Sequence, residues 1–166
     1  MNVEVVIGDV LETPADVLIS TANPWLNMSG GVNGAIASRC PEIQEELHHW
    51  LESNYKTSLP AGSAVKTSAG NLPFSHIVHA VAIDPFYDSS LELVSKALLA
   101  AFGIVAELNA TTVSMPTLAT GFGPLSPDEF ALAFRKSVMD RHKLERVSVV
   151  VQSGEAEELV RKTLSP

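Results

Sequence analysis

The chain has 166 residues, of which 46% are hydrophobic and 18% charged, and its formal net charge is −8. This composition is typical of a compact globular protein and excludes a disordered chain. Long nucleic acids are bound largely by neutralising their phosphates, so the acidic balance also argues against a protein that grips a polynucleotide. The length predicts a single domain over residues 1–166.

The apolar segments are too short to cross a membrane, and the longest of them lies at residues 97–106. The first residues lack the basic start and apolar core of a signal peptide. The one cysteine, Cys40, excludes an intrachain disulfide and a cysteine-rich zinc site, and it is expected to be a small buried side chain. These features predict a cytoplasmic protein with no membrane partner.

Strands and helices alternate along the chain. In chain order, the pattern predicts strands at 3–7 and 17–20, helices at 31–38 and 41–51, strands at 63–67 and 76–83, a helix at 89–108, a strand at 111–115, a helix at 126–141, a strand at 146–151 and a helix at 155–164. The order predicts an α/β protein whose mixed, mostly parallel central sheet carries helices on both faces.

Two glycine-rich loops follow predicted strands. Ser29-Gly-Gly-Val-Asn-Gly34 comes after strand 17–20, and Thr120-Gly-Phe-Gly123 comes after strand 111–115. Ligands of such sheets bind outside the carboxyl ends of the strands, so both loops can close on one ligand. Neither loop has the dinucleotide spacing G-x-G-x-x-G or a Walker-type lysine. The pair favours a small anion held by backbone N–H groups and amides.

An ordered set of motifs gives the chain a resemblance to a known family. The motifs are Gly8-Asp-Val10, Leu18-Ile-Ser-Thr-Ala-Asn23, Ser29-Gly-Gly-Val-Asn-Gly-Ala-Ile36, Pro60-Ala-Gly-Ser-Ala-Val65, Asn71-Leu-Pro-Phe-Ser-His-Ile-Val-His79 and Met115-Pro-Thr-Leu-Ala-Thr-Gly-Phe-Gly123. In this order they resemble the macro domain family and cover nearly the whole chain. The resemblance implies a three-layer α/β/α fold that binds ADP-ribose, with no metal and no cofactor. Many members hydrolyse ADP-ribosyl links.

The resemblance also implies a role for particular residues. Asp9, which Val10 follows, matches the acid that accepts a hydrogen bond from the adenine amino group. Asn23 matches an asparagine that reaches the distal ribose. Two loops match those along the diphosphate: Gly30, Gly31, Val32 and Asn33 in the first, and Thr120, Gly121, Phe122 and Gly123 in the second.

The chain departs from the family pattern at several of these positions. Ser20 stands where the family usually has asparagine. Asn33 stands where one hydrolytic branch has an aspartate that positions or activates water. Gly123 takes the place of a frequent aromatic, and no aromatic lies near Gln152 to stack on adenine. An amide cannot take a proton from water. The replacement of aspartate by Asn33 therefore affects the chemistry of hydrolysis.

Three functions therefore stay open. The first is a protein that binds ADP-ribose, or ADP-ribosylated protein or nucleic-acid ends, with weak or absent hydrolysis. The second is a hydrolase whose water is held by the backbone and by Asn33, the catalytic candidate. If the first function holds because the acid is missing, Asn33→Asp is expected to raise the rate; if the second holds, it is expected to lower it. The third is a protein-interaction domain that kept only the fold.

Other polar residues have simpler interpretations. Asp84 follows a predicted strand at the ligand edge and could replace the missing acid, but Asp84-Pro85 is also an ordinary start of a turn. His76 and His79 are three residues apart on one strand, so their side chains face opposite sides and cannot form a metal pair. Each is expected to be a hydrogen-bonded structural histidine.

Overall fold

A computed structural model describes residues 1–121, 123–138, 141 and 143–166, and in it six strands form one sheet. The strands are β1 (Asn2–Ile7), β2 (Val17–Ala22), β3 (Ala64–Ser68), β4 (His76–Val81), β5 (Thr112–Pro116) and β6 (Arg146–Val151). Their order is β1-β6-β5-β2-β4-β3, and only the β3–β4 pair is antiparallel. The predicted α/β class with a mixed, mostly parallel sheet is confirmed.

Helices lie on both faces of this sheet. They are α1 (Gly31–Arg39), α2 (Glu42–Ser53), α3 (Leu91–Glu107), α4 (Pro127–Val138) and α5 (Gly154–Leu164), with a short 3-10 helix at Val10–Glu12. One apolar core packs α3, α4 and α5 on one face of the sheet. A second core packs α1, α2 and the 3-10 helix on the other face. Within the described residues, no helix is long and apolar enough to cross a membrane.

The element boundaries differ from the predicted ones where side chains cap a helix or a strand ends early. α3 begins two residues later than predicted because the Ser90 hydroxyl accepts a hydrogen bond from the Leu93 N–H at 3.1 Å. β4 ends at Val81 rather than at residue 83. α4 ends at Val138, and residues 139 and 140 of the predicted helix lie outside the described residues. The 3-10 helix was not predicted.

The parallel strands bring the predicted site residues to one edge of the sheet. β2 and β5 are neighbours, with Val17 opposite Val113, so the segments that follow them lie side by side. β1 pairs with β6 up to Ile7 and Val151, which places Asp9 beside the end of β6. The carboxyl edge therefore presents, in sheet order, the segments after β1, β6, β5, β2 and β4.

His79 is a buried, neutral histidine in the middle of β4. The Thr67 hydroxyl donates to the Ser68 carbonyl at 2.9 Å, so its 2.8 Å contact with His79 Nε2 must be donated by the histidine. The hydrogen is thus on Nε2, and Nδ1 has no partner among the described residues. Burial lowers the pKa of His79 to about 3. This confirms the expected structural role.

The pKa of His79 makes the folding stability sensitive to acid. Below a pH of about 6.5 the unfolded chain binds a proton at this position and the folded chain does not, so acid favours unfolding. We expect the free energy of unfolding to fall by up to about 1.4 kcal/mol per pH unit between roughly pH 6 and pH 4. His79→Gln should remove most of this slope in urea titrations. An equally steep slope in the variant would assign the acid sensitivity to other groups.

Candidate functional site

The first glycine loop forms the start of α1. Gly30 and Gly31 have φ angles of 67° and 55°, in the left-handed region that glycine adopts without strain. Gly30 is the N-cap residue, and no side chain in the described part of the protein caps the helix. Its carbonyl accepts the first helical hydrogen bond, from the Gly34 N–H at 2.8 Å. The first-turn N–H groups, including those of Val32 and Asn33, therefore have no side-chain partner at this helix end.

Asn23 organises the turn that leads into this loop. Its Oδ1 accepts hydrogen bonds from the N–H groups of Trp25 and Asn27, both at 3.1 Å, and its Nδ2 donates to the Asn27 carbonyl at 2.9 Å. Leu26, within the turn, has a φ of 57°. The side chain of Asn23 is thus largely committed to the backbone, and one amide hydrogen remains for a ligand.

A side chain of α2 supports the same segment. Gln44 Oε1 accepts from the Met28 N–H at 2.6 Å, and Gln44 Nε2 donates to the Leu26 carbonyl at 2.8 Å. These two bonds fix the backbone just before Gly30. Nothing in the sequence pattern indicated this role, because Gln44 belongs to the polar side of an amphipathic helix.

Asn33 is hydrogen-bonded on both sides of its amide. The Ser20 hydroxyl, which is fully buried on β2, donates to Asn33 Oδ1 at 2.6 Å. Asn33 Nδ2 donates to the Thr21 carbonyl. Two of the departures from the family pattern, Ser20 and Asn33, are thus direct partners. Their bonds tie α1 to β2 and turn the Asn33 amide towards the sheet.

The second glycine loop follows β5. The Thr120 hydroxyl donates to the Thr117 carbonyl at 3.0 Å and lies 2.6 Å from the Thr117 hydroxyl. The Leu125 N–H closes the loop by donating to the Ala119 carbonyl at 3.1 Å. Thr120 therefore shapes the loop with its own side chain.

The two glycines of this loop have different surroundings. A Cβ at Gly123 would lie 2.3 Å from the Ala119 carbonyl oxygen, so only glycine fits there. Among the described residues, and apart from its chain neighbours, a Cβ at Gly121 would meet no atom within 4 Å. The loop can therefore take a side chain at Gly121 but not at Gly123. Phe122, also predicted for the site, lies outside the described residues.

Asp9 lies at the far end of the same edge. Its Oδ1 caps the 3-10 helix by accepting from the Leu11 N–H at 2.9 Å. Its Oδ2 lies 3.7 Å from a guanidinium nitrogen of Arg39, whose other terminal nitrogen donates to Glu12 at 2.6 Å. Val10 is buried immediately after Asp9. The hydrogen bond to Glu12 raises the pKa of Arg39 above its usual value.

Asp84 serves a turn. Its Oδ1 accepts hydrogen bonds from the N–H groups of Phe86 and Asp88, at 2.8 and 2.9 Å. Of the two interpretations of Asp84 given from the sequence, these contacts match the residue that starts a turn. Among the described residues, no group of three potential ligands could hold a metal ion.

Asp9, Asn23 and both glycine loops therefore follow strands at the same edge of the sheet. Two open depressions, of about 470 and 370 Å³, lie elsewhere, on α5 and beside β1, and none of the predicted site residues that the structure describes lines them. Sequence reasoning missed Gln44 and Arg39. Arg39 did carry a signal, since it is the only lysine or arginine among the first 55 residues.

Comparison with known proteins identifies the family. The model of the macro domain family matches residues 19–134. A macro domain-containing protein of Listeria monocytogenes is 35% identical over 126 residues, which cover 73% of this chain and 69% of that protein. Two structures of the Oceanobacillus iheyensis macrodomain, a mutant solved with ADPR and a structure with ADP, superpose with TM-scores of 0.86 each. They are 25% and 26% identical and cover 98% of this chain, and 91% and 89% of theirs. The chain belongs to the macro domain family.

Proposed function

We propose that this protein binds ADP-ribose, free or attached to a protein or a nucleic-acid end. The proposal rests mainly on one observation. The two glycine loops follow the neighbouring strands β2 and β5, and Asp9 lies at the same edge of the sheet. The Oceanobacillus iheyensis macrodomain solved with ADPR and with ADP supports it, because that protein has the same fold at 25–26% identity.

Each part of the edge fits a different part of this ligand. The uncapped first turn of α1 offers N–H groups and a positive helix end to the diphosphate. The second loop approaches from the β5 side, where Gly121 leaves open space. Asp9 Oδ2 offers an acceptor to the amino group of adenine. The diphosphate is held without any lysine or arginine in either loop.

The contacts of Asn33 support binding rather than hydrolysis. A residue that activates water for attack needs a basic atom directed at the ligand. The Asn33 amide is not basic, and its hydrogen bonds with Ser20 and Thr21 hold it towards the sheet. We therefore propose that hydrolysis of ADP-ribosyl links is weak or absent, and that Asn33 serves to join α1 to β2.

A calorimetric titration tests this function. ADP-ribose should bind more tightly than AMP or ribose 5-phosphate, because only the whole ligand reaches Asp9 and both loops. Asp9→Ala should weaken ADP-ribose and AMP by about 1–3 kcal/mol, since the adenine amino group then loses its acceptor. No heat with ADP-ribose, or equal affinity for AMP, would contradict the proposal.

Turnover is tested by Asn33→Asp. The contacts of Asn33 reverse the expectation drawn from sequence, because an aspartate here would place a carboxylate oxygen against the Thr21 carbonyl. We expect no gain in hydrolysis of mono-ADP-ribosylated protein and a loss of about 1–3 kcal/mol in the free energy of unfolding. Asn2→Asp, the same substitution at an exposed residue at the start of β1, is the matched control. Faster hydrolysis at unchanged stability would show that a missing acid alone limits the rate.

A further inference from the structure

Arg39 ends the helix face that starts at the first glycine loop. Gly31, Ala35 and Arg39 are four residues apart, so they lie along one side of α1, and all three are exposed. The helix rises about 1.5 Å per residue, which separates Gly31 from Arg39 by roughly 12 Å. This side of α1 therefore runs from the proposed diphosphate site to Asp9, with only the small Ala35 between.

The guanidinium of Arg39 is held by two carboxylates. One terminal nitrogen donates to Glu12 Oε1 at 2.6 Å, and the other lies 3.7 Å from Asp9 Oδ2. The second distance is too long for a hydrogen bond, so Asp9 Oδ2 keeps its acceptor capacity while it lies beside a positive charge. The hydrogen bond to Glu12 engages the edge of the guanidinium, because its N–H groups lie in the plane of the group. The side chain of Arg39 is 42% exposed, so another group can reach it.

An exposed ion pair of this kind contributes little to folding stability. A planar cation fixed beside a hydrogen-bond acceptor suits a nucleobase instead, because guanidinium groups stack on flat π systems.

We propose that Arg39 is a base-binding residue: its guanidinium supplies the flat surface on which adenine stacks while Asp9 accepts from the adenine amino group. This inference rests on the proposed function. In this arrangement two groups recognise the base. Asp9, at the start of the 3-10 helix, accepts a hydrogen bond, and Arg39, at the end of α1, provides the stacking cation. A base with a carbonyl in place of the amino group would face the Asp9 carboxylate and be disfavoured.

Calorimetry with Arg39→Gln, Arg39→Lys and Lys66→Gln tests the assignment. Lys66 lies exposed on β3 and controls for the loss of one positive charge. Stacking energies predict that Arg39→Gln weakens ADP-ribose and ADP by about 5- to 30-fold. Arg39→Lys keeps the charge but loses the plane, so it should weaken both ligands to a similar extent. Ribose 5-phosphate, followed by NMR, should bind all variants as it binds the wild type, and urea midpoints should not change.

Three outcomes would overturn the assignment. Wild-type affinity in Arg39→Gln, or the same small loss in Lys66→Gln, would make Arg39 a surface ion pair. Wild-type affinity in Arg39→Lys would show that the positive charge beside Asp9, and not stacking on the guanidinium, contributes to binding of the base. Absence of ADP-ribose binding to the wild type would instead remove the proposed function on which the inference rests.

Discussion

Gly121→Glu is expected to abolish most ADP-ribose binding while the fold is kept. The added side chain enters open space, so the loop accepts it, yet that space is the proposed path of the diphosphate. A carboxylate about 4 Å from a phosphate costs roughly 1–4 kcal/mol, depending on solvent access, in addition to the steric conflict. We therefore expect the Kd for ADP-ribose to rise by about 10- to 1,000-fold in calorimetry.

Gly121→Gln is the matched control, since it has nearly the same shape without the charge. It should weaken binding less than Gly121→Glu does, and both variants should show the circular dichroism of the wild type. Gly31→Glu tests the other loop less cleanly, because a φ of 55° strains any side chain at that position. Wild-type affinity in Gly121→Glu would remove the second loop from the site.

Gly123→Ala is expected to distort the backbone of the same loop. Its Cβ would lie 2.3 Å from the Ala119 carbonyl oxygen and 2.7 Å from the carbonyl carbon, so the backbone would have to move. That carbonyl also closes the loop by accepting from Leu125. We expect a loss of about 1–3 kcal/mol in the free energy of unfolding, measured in urea, together with a loss of ADP-ribose binding.

Gly121→Ala provides the comparison two residues away. Its Cβ meets no atom within 4 Å in the described part of the chain, so its free energy of unfolding should stay within about 0.5 kcal/mol of the wild type. Comparing the free energies of unfolding of Gly121→Ala and Gly123→Ala shows which glycine the loop needs for its shape. An effect on binding without an effect on stability is then an effect on contact with the ligand. Equal stability of both variants would contradict the fixed loop geometry described above.

Much of the fold could be predicted because its signals are local. The helical spacing of apolar residues in α3 and the continuous apolar strands β4 and β6 do not depend on distant partners. The position of the two glycine loops after neighbouring parallel strands could also be predicted, because parallel strands end at a common edge. Boundaries were less accurate where a single contact decides them, as the Ser90 cap does for α3.

The finer structure of the site could not be predicted, because it depends on contacts between elements. Ser20 and Asn33 appeared in sequence as two separate departures, and only packing of α1 on β2 shows that they bond to each other. The roles of Gln44 and Arg39 likewise arise from the placement of α2 and α1. Such pairs lie 13 to 30 residues apart, and no local pattern marks them.

NMR spectroscopy of the backbone amides during titration with ADP-ribose tests the central claim most directly, because it reports on both loops in one sample. The account predicts that the amide signals of Gly31 and Gly121 shift together, with a single dissociation constant, and that those of α5 do not. Shifts confined to one loop, different dissociation constants for the two loops, or shifts only around α5 would contradict a single ligand held between the loops of β2 and β5.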